Sequence, residues 1–431
     1  MKDKIIQELT DKKILILGFG REGRSTYKFI KDNNINCSLG IADMNTITDK
    51  EILNNNISLH TGANYLDAMK DYDLIIKTPG ISFKNLDLTG IRDKIISQTE
   101  LFLKYGKNKI IGITGTKGKS TTSSLIYSML KQKYNVLLVG NIGLPAFDEI
   151  ENEEQIDYFV YELSSHQLEF VKHSPHIAVL LNMYEEHLDH YKGYEEYKEA
   201  KRNIFRYQNV QDYFIYNEQE KQTLINNIEL QQNEVPVTKE NCSVEEKYIS
   251  LPGEHNKFNI AVAVSIAKLL DVPEKDIIYA ISTFKPLSHR LESVGVYNDV
   301  EYIDDSIATI PQAVISAVRT IPNIDTVIIG GMDRGINYDM LIEEIKTGFT
   351  NNVILMYDSG KKIYEALKNS DNKNIYYVEN LEEAVKLAVK VTRKNKKCLL
   401  SPAAASYGVF KNFEERGDKF KEYVIKYTSK G

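Results

Sequence analysis

The residues with the clearest chemistry run from Ile110 to Thr122, where an apolar strand meets a Gly/Thr-rich loop and then a helix carrying Leu125, Ile126, Met129 and Leu130. The loop is Gly115-Thr116-Lys117-Gly118, and Lys119-Ser120-Thr121-Thr122 opens the helix. Glycines let a backbone wrap a phosphate chain, and a helix start adds free N–H donors and a positive dipole end. Lys119 would reach the β- and γ-phosphates, and the hydroxyl of Ser120 or Thr121 would hold Mg²⁺. The strict spacing G-x-x-x-x-G-K-[ST] is not met, because its first glycine falls on Ile113. With strand, loop and helix in register, the stretch still reads as a nucleoside triphosphate site.

Further polar groups gather at strand ends, where doubly wound sheets place ligands. Gly18-Phe19-Gly20-Arg21-Glu22-Gly23 lies between a strand (12–17) and a helix through Phe29 and Ile30, with Asp43 after the next strand. That spacing fits a dinucleotide or any other diphosphate-bearing ligand. Tyr161-Glu162-Leu163-Ser164-Ser165-His166-Gln167 offers a carboxylate for Mg²⁺, or simply a Ser N-cap beside a solvated Glu. In Asn182-Met183-Tyr184-Glu185-Glu186-His187-Leu188-Asp189-His190, two His and three carboxylates crowd one loop and point to a site. On the helix 194–205, Lys201 reads by itself as a solvent-facing charge. Gly253-Glu254-His255-Asn256 precedes a core helix, and Asn256 suits a cap better than an adenine contact. His289-Arg290-Leu291-Glu292, Asp304-Asp305-Ser306, Gly330-Gly331-Met332-Asp333-Arg334-Gly335 and Ser401-Pro402-Ala403-Ala404-Ala405-Ser406 lie at the start of a third pattern of strands or at strand ends. Arg334 and Ser406 suit a carboxylate ligand.

These sites need three α/β frames. Residues 1–105 read as a small Rossmann-like domain. Residues 106–287 read as a parallel-sheet ATPase-like domain with strands near 136–139, 157–162 and 177–181. Residues 288–431 read as a doubly wound α/β domain with strands near 326–329, 353–357 and 397–400. The polar stretch 218–247 reads as a solvated edge. A chain of 431 residues has room for several cores, and its 26% charged and 42% hydrophobic residues are ordinary for a soluble protein. A net charge of -6 without a Lys/Arg cluster argues against a nucleic-acid surface. Cys37, Cys242 and Cys398 lie too far apart for metal or redox spacing. No apolar run approaches the ~18 residues that span a bilayer. The start Met1-Lys2-Asp3-Lys4-Ile5 lacks a signal-peptide core, so a cytoplasmic protein is expected.

In this order, Thr114–Thr121, Glu162–Ser165, Gly253–Asn256 and His289–Glu292 resemble the motifs of the Mur ligase family across all three domains. Leu400-Ser401-Pro402-Ala403 with Phe410-Lys411-Asn412-Phe413-Glu414-Glu415-Arg416-Gly417 resembles its glutamate-adding members. The resemblance implies an ATP-dependent ligase that phosphorylates the carboxylate of UDP-N-acetylmuramoyl-L-alanine and joins it to glutamate. It implies a pair of Mg²⁺ ions, held by Ser120 or Thr121, Glu162, His187 and a carbamylated Lys201, with Lys119, His187 and Lys201 as catalytic residues. It places ATP on Gly115 to Thr121, Asn256, His289, Arg290 and Asp305. It gives the UDP-sugar Gly18, Phe19, Gly20, Gly23, Arg24, Asp43, Asn141, Ser164 and His187, and glutamate Thr309, Arg334, Ser406 and Phe413. The family precedent is a monomer. Because these nucleotide contacts are split between the second and third domains, closure around ATP is expected to assemble the site.

Some positions depart from the family pattern. Lys117 stands where Asn is usual, His190 where Arg is usual, Ile307 where Lys is expected, and Ile310 where Asn is frequent. Ile307 removes a cation close to product and phosphate, and it opens an alternative in which L-glutamate is the amino acid added. A folate polyglutamating ligase would share the loop but not the C-terminal motifs. A nucleotide-sugar dehydrogenase would rest on Gly18–Gly23 alone and leave the Lys119 loop unexplained. A non-catalytic UDP-sugar sensor would have no need of Lys119, Glu162, His187 and Lys201 together.

Overall fold

The computed structural model describes the chain apart from residues 49, 54–56, 143, 188–189, 243, 250, 252–253, 286–287, 334–336, 369–373, 407 and 430–431. Of the residues singled out above, Leu188, Asp189, Gly253, Arg334 and Gly335 therefore lie outside the described residues. The chain forms two compact units, Met1–Phe284 and Lys285–Gly431.

The first unit holds two sheets. One contains β1 (Lys13–Leu17), β2 (Ser38–Asp43), β3 (Ser58–Thr61), β4 (Leu74–Lys77) and β5 (Ile95–Ile96), all parallel, in the order β3-β2-β1-β4-β5. Its central strand β1 is apolar on both faces, as expected of a parallel strand covered on both sides. Ile14 and Ile16 pack with Phe29 and Ile30 on one side, while Leu15 and Leu17 pack with Tyr65 and Met69 on the other. Each such side chain contributes roughly 1.5–3 kcal/mol.

The other sheet contains β6 (Ile110–Thr114), β7 (Val136–Gly140), β8 (Tyr158–Glu162), β9 (Ile177–Leu180), β10 (Tyr213–Asn217) and β11 (Asn233–Val237). It too is parallel, in the order β11-β10-β9-β6-β8-β7. The central strand β6 is buried along its length and aims its carboxyl end into the Gly115–Gly118 loop. The helix that follows, Lys119–Leu130, shares a core with the helix Glu254–Leu269 through Leu125, Ile126, Ile260 and Val264. The stretch 218–247, expected as a solvated edge, supplies β11 as the edge strand. Pro236 is tolerated there because an edge strand need not donate on both sides.

The second unit holds β12 (Glu292–Tyr297), β13 (Val300–Asp304), β14 (Ile324–Ile329), β15 (Asn352–Met356), β16 (Ile375–Val378) and β17 (Lys396–Leu400) in the order β12-β13-β17-β14-β15-β16. Four of its five pairings are parallel, and β12 joins β13 as an antiparallel edge hairpin. Asn298 and Asp299, both at positive φ, make its turn. The α/β architecture agrees with the expectation; the hairpin and β16 are additions to it.

Candidate active site

The phosphate loop is built by its backbone. Gly118 sits at φ +85° before the first turn of the helix, and a Cβ there would lie 2.7 Å from Asn259 Oδ1. Only glycine takes this position without strain. Asn182, at the end of β9, clamps the loop: its Oδ1 accepts from the N–H groups of Thr116 (3.0 Å) and Lys117 (2.8 Å), and its Nδ2 donates to Lys117 O (3.0 Å). Thr116 Oγ1 pairs with the Tyr197 hydroxyl at 2.7 Å, tying the loop to the helix Tyr194–Arg206. Lys119 folds back over the loop and donates to the carbonyls of Gly115 (2.9 Å) and Thr116 (3.0 Å). Lys117 pairs with Glu186 at 2.8 Å. Ser120 is buried in the first helical turn, with Thr121 beside it.

Beside this cradle lie two buried groups. Glu162, the last residue of β8, is fully buried, which overturns the alternative of a solvated Glu. Its Oε1 accepts from Asn141 Nδ2 at 2.8 Å, and its Oε2 is buried with no hydrogen-bond partner among the described residues. A carboxylate oxygen in that state suits a hard cation such as Mg²⁺. Ser164 does cap a helix, accepting from the N–H of Gln167 in a capping box. Lys201 is buried as well, which corrects the solvent-facing reading. Its Nζ donates to Gly115 O at 2.9 Å and to Thr114 Oγ1 at 3.3 Å. Burial, with the charge of Lys119 beside it, holds its amine well below the usual lysine range, although Glu186 and Glu162 oppose the shift.

His187 sits at φ +59°, an uncommon backbone for a residue with a side chain. Its ring packs on His166 (4.6 Å between centroids), which packs on His190 (4.2 Å). Burial, then the neighbouring His190 and His187, lower His166 to about 2 and keep it neutral. Asn256 lies in the first turn of the helix Glu254–Leu269, so it is not the cap expected above. Its Oδ1 accepts from Asn259 Nδ2 at 3.1 Å.

A cavity of about 480 Å³ opens beside the carboxyl ends of β1 and β4 and reaches Gly140, Asn141 and Ser164 of the neighbouring sheet. Gly18, Gly20 and Asp43 line it. Asp43 accepts from the backbone N–H groups of Phe19 (2.7 Å) and Asn45 (2.8 Å). The Arg24 guanidinium lies over the Phe19 ring at 4.6 Å. Gly23 lies so close to Gly18 O that an added Cβ would sit 2.1 Å from it. Of the residues expected at the UDP-sugar, Gly18, Gly20, Asp43, Asn141 and Ser164 line this cavity, whereas Phe19, Gly23, Arg24 and His187 are not among its lining residues.

In the second unit, His289 points inward, its Nδ1 2.7 Å from Asp304 Oδ2, and that carboxylate raises its affinity for a proton. Asp305 accepts from Ser401 Oγ at 2.9 Å; burial pushes it up to about 7 against the pull of that bond and of Arg290. Thr309 is half-buried and Ser406 buried near two loops that one side chain binds together. That side chain is Arg416, fully buried, which donates to Ser306 Oγ (3.0 Å), Ser306 O (2.8 Å) and Ala404 O (3.0 Å). Ser306 Oγ in turn donates to Phe413 O at 2.8 Å. Neither Asn182 nor Arg416 was singled out as a functional residue from sequence. Asn182 lies two residues beyond the carboxyl end of β9, beside the phosphate loop's strand, which is the signal that could have found it.

Residues 12–98 match the family described as Mur ligase MurD-like, N-terminal domain. Residues 113–248 match the Mur ligase middle domain, and 289–404 match Mur ligase, glutamate ligase domain. The chain is 31% identical to the UDP-N-acetylmuramoylalanine–D-glutamate ligase of Ligilactobacillus salivarius (strain UCC118), over 99% of this chain and 98% of that protein. It is 31% identical to the protein of that name from Clostridioides difficile (strain 630), over 97% and 99%. Among solved structures it is similar to MurF ligase from Thermotoga maritima in complex with ADP, with a TM-score of 0.60, 16% identity and full coverage of both chains. It is also similar to UDP-N-acetylmuramate-alanine ligase from the same organism, with a TM-score of 0.57, 21% identity and coverage of 97% and 100%. At these identities the structural likeness is one of fold.

Proposed function

Because the chain belongs to the Mur ligase family, we propose that it is the ATP-dependent ligase that adds D-glutamate to UDP-N-acetylmuramoyl-L-alanine in peptidoglycan precursor synthesis. The observation that carries the reading is a phosphate cradle flanked by a buried carboxylate oxygen, on Glu162, with no hydrogen-bond partner among the described residues, and by a buried amine, on Lys201, held well below the usual lysine range. A carboxylate oxygen of the alanyl group attacks the γ-phosphorus of ATP, and ADP leaves. The amine of glutamate then attacks the acyl carbon; the amide forms, and phosphate leaves with that oxygen. Lys119 and the loop N–H groups hold the triphosphate and offset its charge.

Glu162, His187 and Ser120 or Thr121 are the donors suited to Mg²⁺, which when bound would neutralise charge on the transferring phosphoryl group. Lys201 adds a donor if its neutral amine takes up CO₂, forming an N–C bond and releasing a proton to leave an anionic carbamate. Burial supports that step, because only the uncharged amine is nucleophilic. Gly18 to Gly23, Arg24, Asp43, Asn141 and Ser164 take the UDP-sugar. Asn256, His289, Arg290 and Asp305 are the further residues this reading assigns to nucleotide. Thr309, Ser406 and Phe413 take glutamate, together with Arg334. The same reading places the chain in the cytoplasm as a monomer.

The test is phosphate release from ATP with UDP-N-acetylmuramoyl-L-alanine, run in parallel with D- and L-glutamate. Release with D-glutamate alone is expected. Release with L-glutamate alone would reassign the amino acid to the alternative branch and make Ile307 its marker. Silence with both would overturn the assignment.

A further inference from the structure

Glu22, inside the glycine loop, has no task in the account above. It occupies the first turn of the helix Arg21–Asp32 and lines the 480 Å³ cavity with Gly18, Gly20 and Asp43. Gln167, from the neighbouring sheet's domain, donates Nε2–H to Glu22 Oε1 at 2.6 Å. The orientation of that amide is fixed, since Gln167 Oε1 accepts from Ser164 N (2.9 Å) and Ser164 Oγ (3.0 Å). The second oxygen of Glu22, Oε2, is buried and has no hydrogen-bond partner among the described residues.

An ionised carboxylate with a buried, unserved oxygen is costly. Protonation of Oε2 removes that cost and turns an acceptor into a donor. The charged and titratable groups around Glu22 are Arg21 on its own helix, Lys77 at the end of β4, Tyr161 on β8, and Asp43 across the cavity. Lys77 is already paired with Glu169 at 3.2 Å. Burial outweighs Gln167, Lys77 and Arg21, and pushes Glu22 up to about 7. The helix has no side-chain cap at Gly20, so its first N–H groups suit an anion at the same place. A carboxylate beside those donors would repel a diphosphate, whereas a neutral carboxylic acid would not.

We propose that Glu22 is a neutral acid, protonated on Oε2, when the diphosphate of the UDP-sugar binds at this cavity, so that ligand binding takes up a proton from solvent. The inference rests on the assignment of Gly18–Gly23 to the UDP-sugar. The experiment is calorimetric titration of the full chain with UDP-N-acetylmuramoyl-L-alanine from about pH 6 to about pH 8.5, in buffers of different ionisation heat. Above about pH 7, binding takes up as much as one proton, and Kd rises by up to about tenfold per pH unit; below that, Kd is flat. E22Q keeps the Gln167 bond and carries an amide donor in place of Oε2–H, so it binds with a flat Kd and no proton uptake. Wild-type binding without proton uptake would overturn the proposal, as would uptake that persists in E22Q. Failure of the wild type to bind at any pH would instead overturn the assignment of the loop to the UDP-sugar, and the proposal with it.

Discussion

Gly118→Ala tests the phosphate cradle at its most constrained point. At φ +85° an alanine pays the left-handed penalty of about 1–2 kcal/mol. Its Cβ would also lie 2.7 Å from Asn259 Oδ1, which accepts from Thr122 Oγ1 at 3.2 Å. Moving that amide sacrifices a buried hydrogen bond, about another 1 kcal/mol. The total of about 2–3 kcal/mol corresponds to a fall of roughly 3–5 °C in the melting temperature of a unit this size. If the loop relaxes instead, the N–H groups of Thr116 and Lys117 leave their places on Asn182, and ATP affinity falls by about tenfold for each 1.4 kcal/mol. The assay is thermal unfolding with parallel ATP titration, with Gly20→Ala as control because a Cβ there meets nothing within 4 Å. A Gly118→Ala protein with unchanged melting temperature and unchanged ATP affinity would refute the reasoning.

Lys201→Met is expected to leave the fold intact, at a cost of about 1 kcal/mol for the donors lost to Gly115 O and Thr114 Oγ1, while phosphate release falls by about 100-fold or more. Stripping CO₂ from the buffer should lower wild-type turnover and bicarbonate should restore it; indifference to both would remove the carbamate from the account. Arg416→Met leaves the hydroxyl and carbonyl of Ser306 and the carbonyl of Ala404 without their donors, and urea unfolding of the second unit should show a loss of about 3 kcal/mol. Asp305 binds its proton more tightly in the folded state, raised from 3.8 to about 7. Its contribution to stability is therefore fully present below the unfolded value and is lost as pH rises towards 7, then flat. Asp305→Asn should remove that part of the pH dependence in unfolding experiments, and an unchanged profile would count against it.

Much of this was legible because βα units advertise themselves. The buried strand 110–114, the glycines after it and the helix beyond could be read without a structure, as could the loop at Gly18–Gly23. Burial of single charged residues was not. Lys201 sits on Tyr194–Arg206 among Glu195, Glu196, Lys198, Glu199, Arg202 and Arg206, a composition that reads as a solvated face. Yet Lys201 and Arg202 turn inward, Arg202 meeting Glu195 and Glu199 and two backbone carbonyls. Asn256 looked like a cap because the apolar helix pattern starts just after it, but the helix begins at Glu254 and Asn256 falls within its first turn. The hairpin β12–β13 carried its signal in Asn298-Asp299, a turn pair at positive φ between β-rich runs. Arg416 gave no sign of its burial, since its neighbours Glu414, Glu415 and Asp418 are those of an exposed helix.

The central claim is that ATP activates the alanyl carboxylate as an acyl phosphate. UDP-N-acetylmuramoyl-L-alanine labelled with heavy oxygen in that carboxylate, turned over with ATP, Mg²⁺ and D-glutamate, tests it most directly by mass analysis of the phosphate. The account predicts one heavy oxygen in each released phosphate and the other in the new amide. Phosphate free of heavy oxygen, released while amide forms, would contradict it.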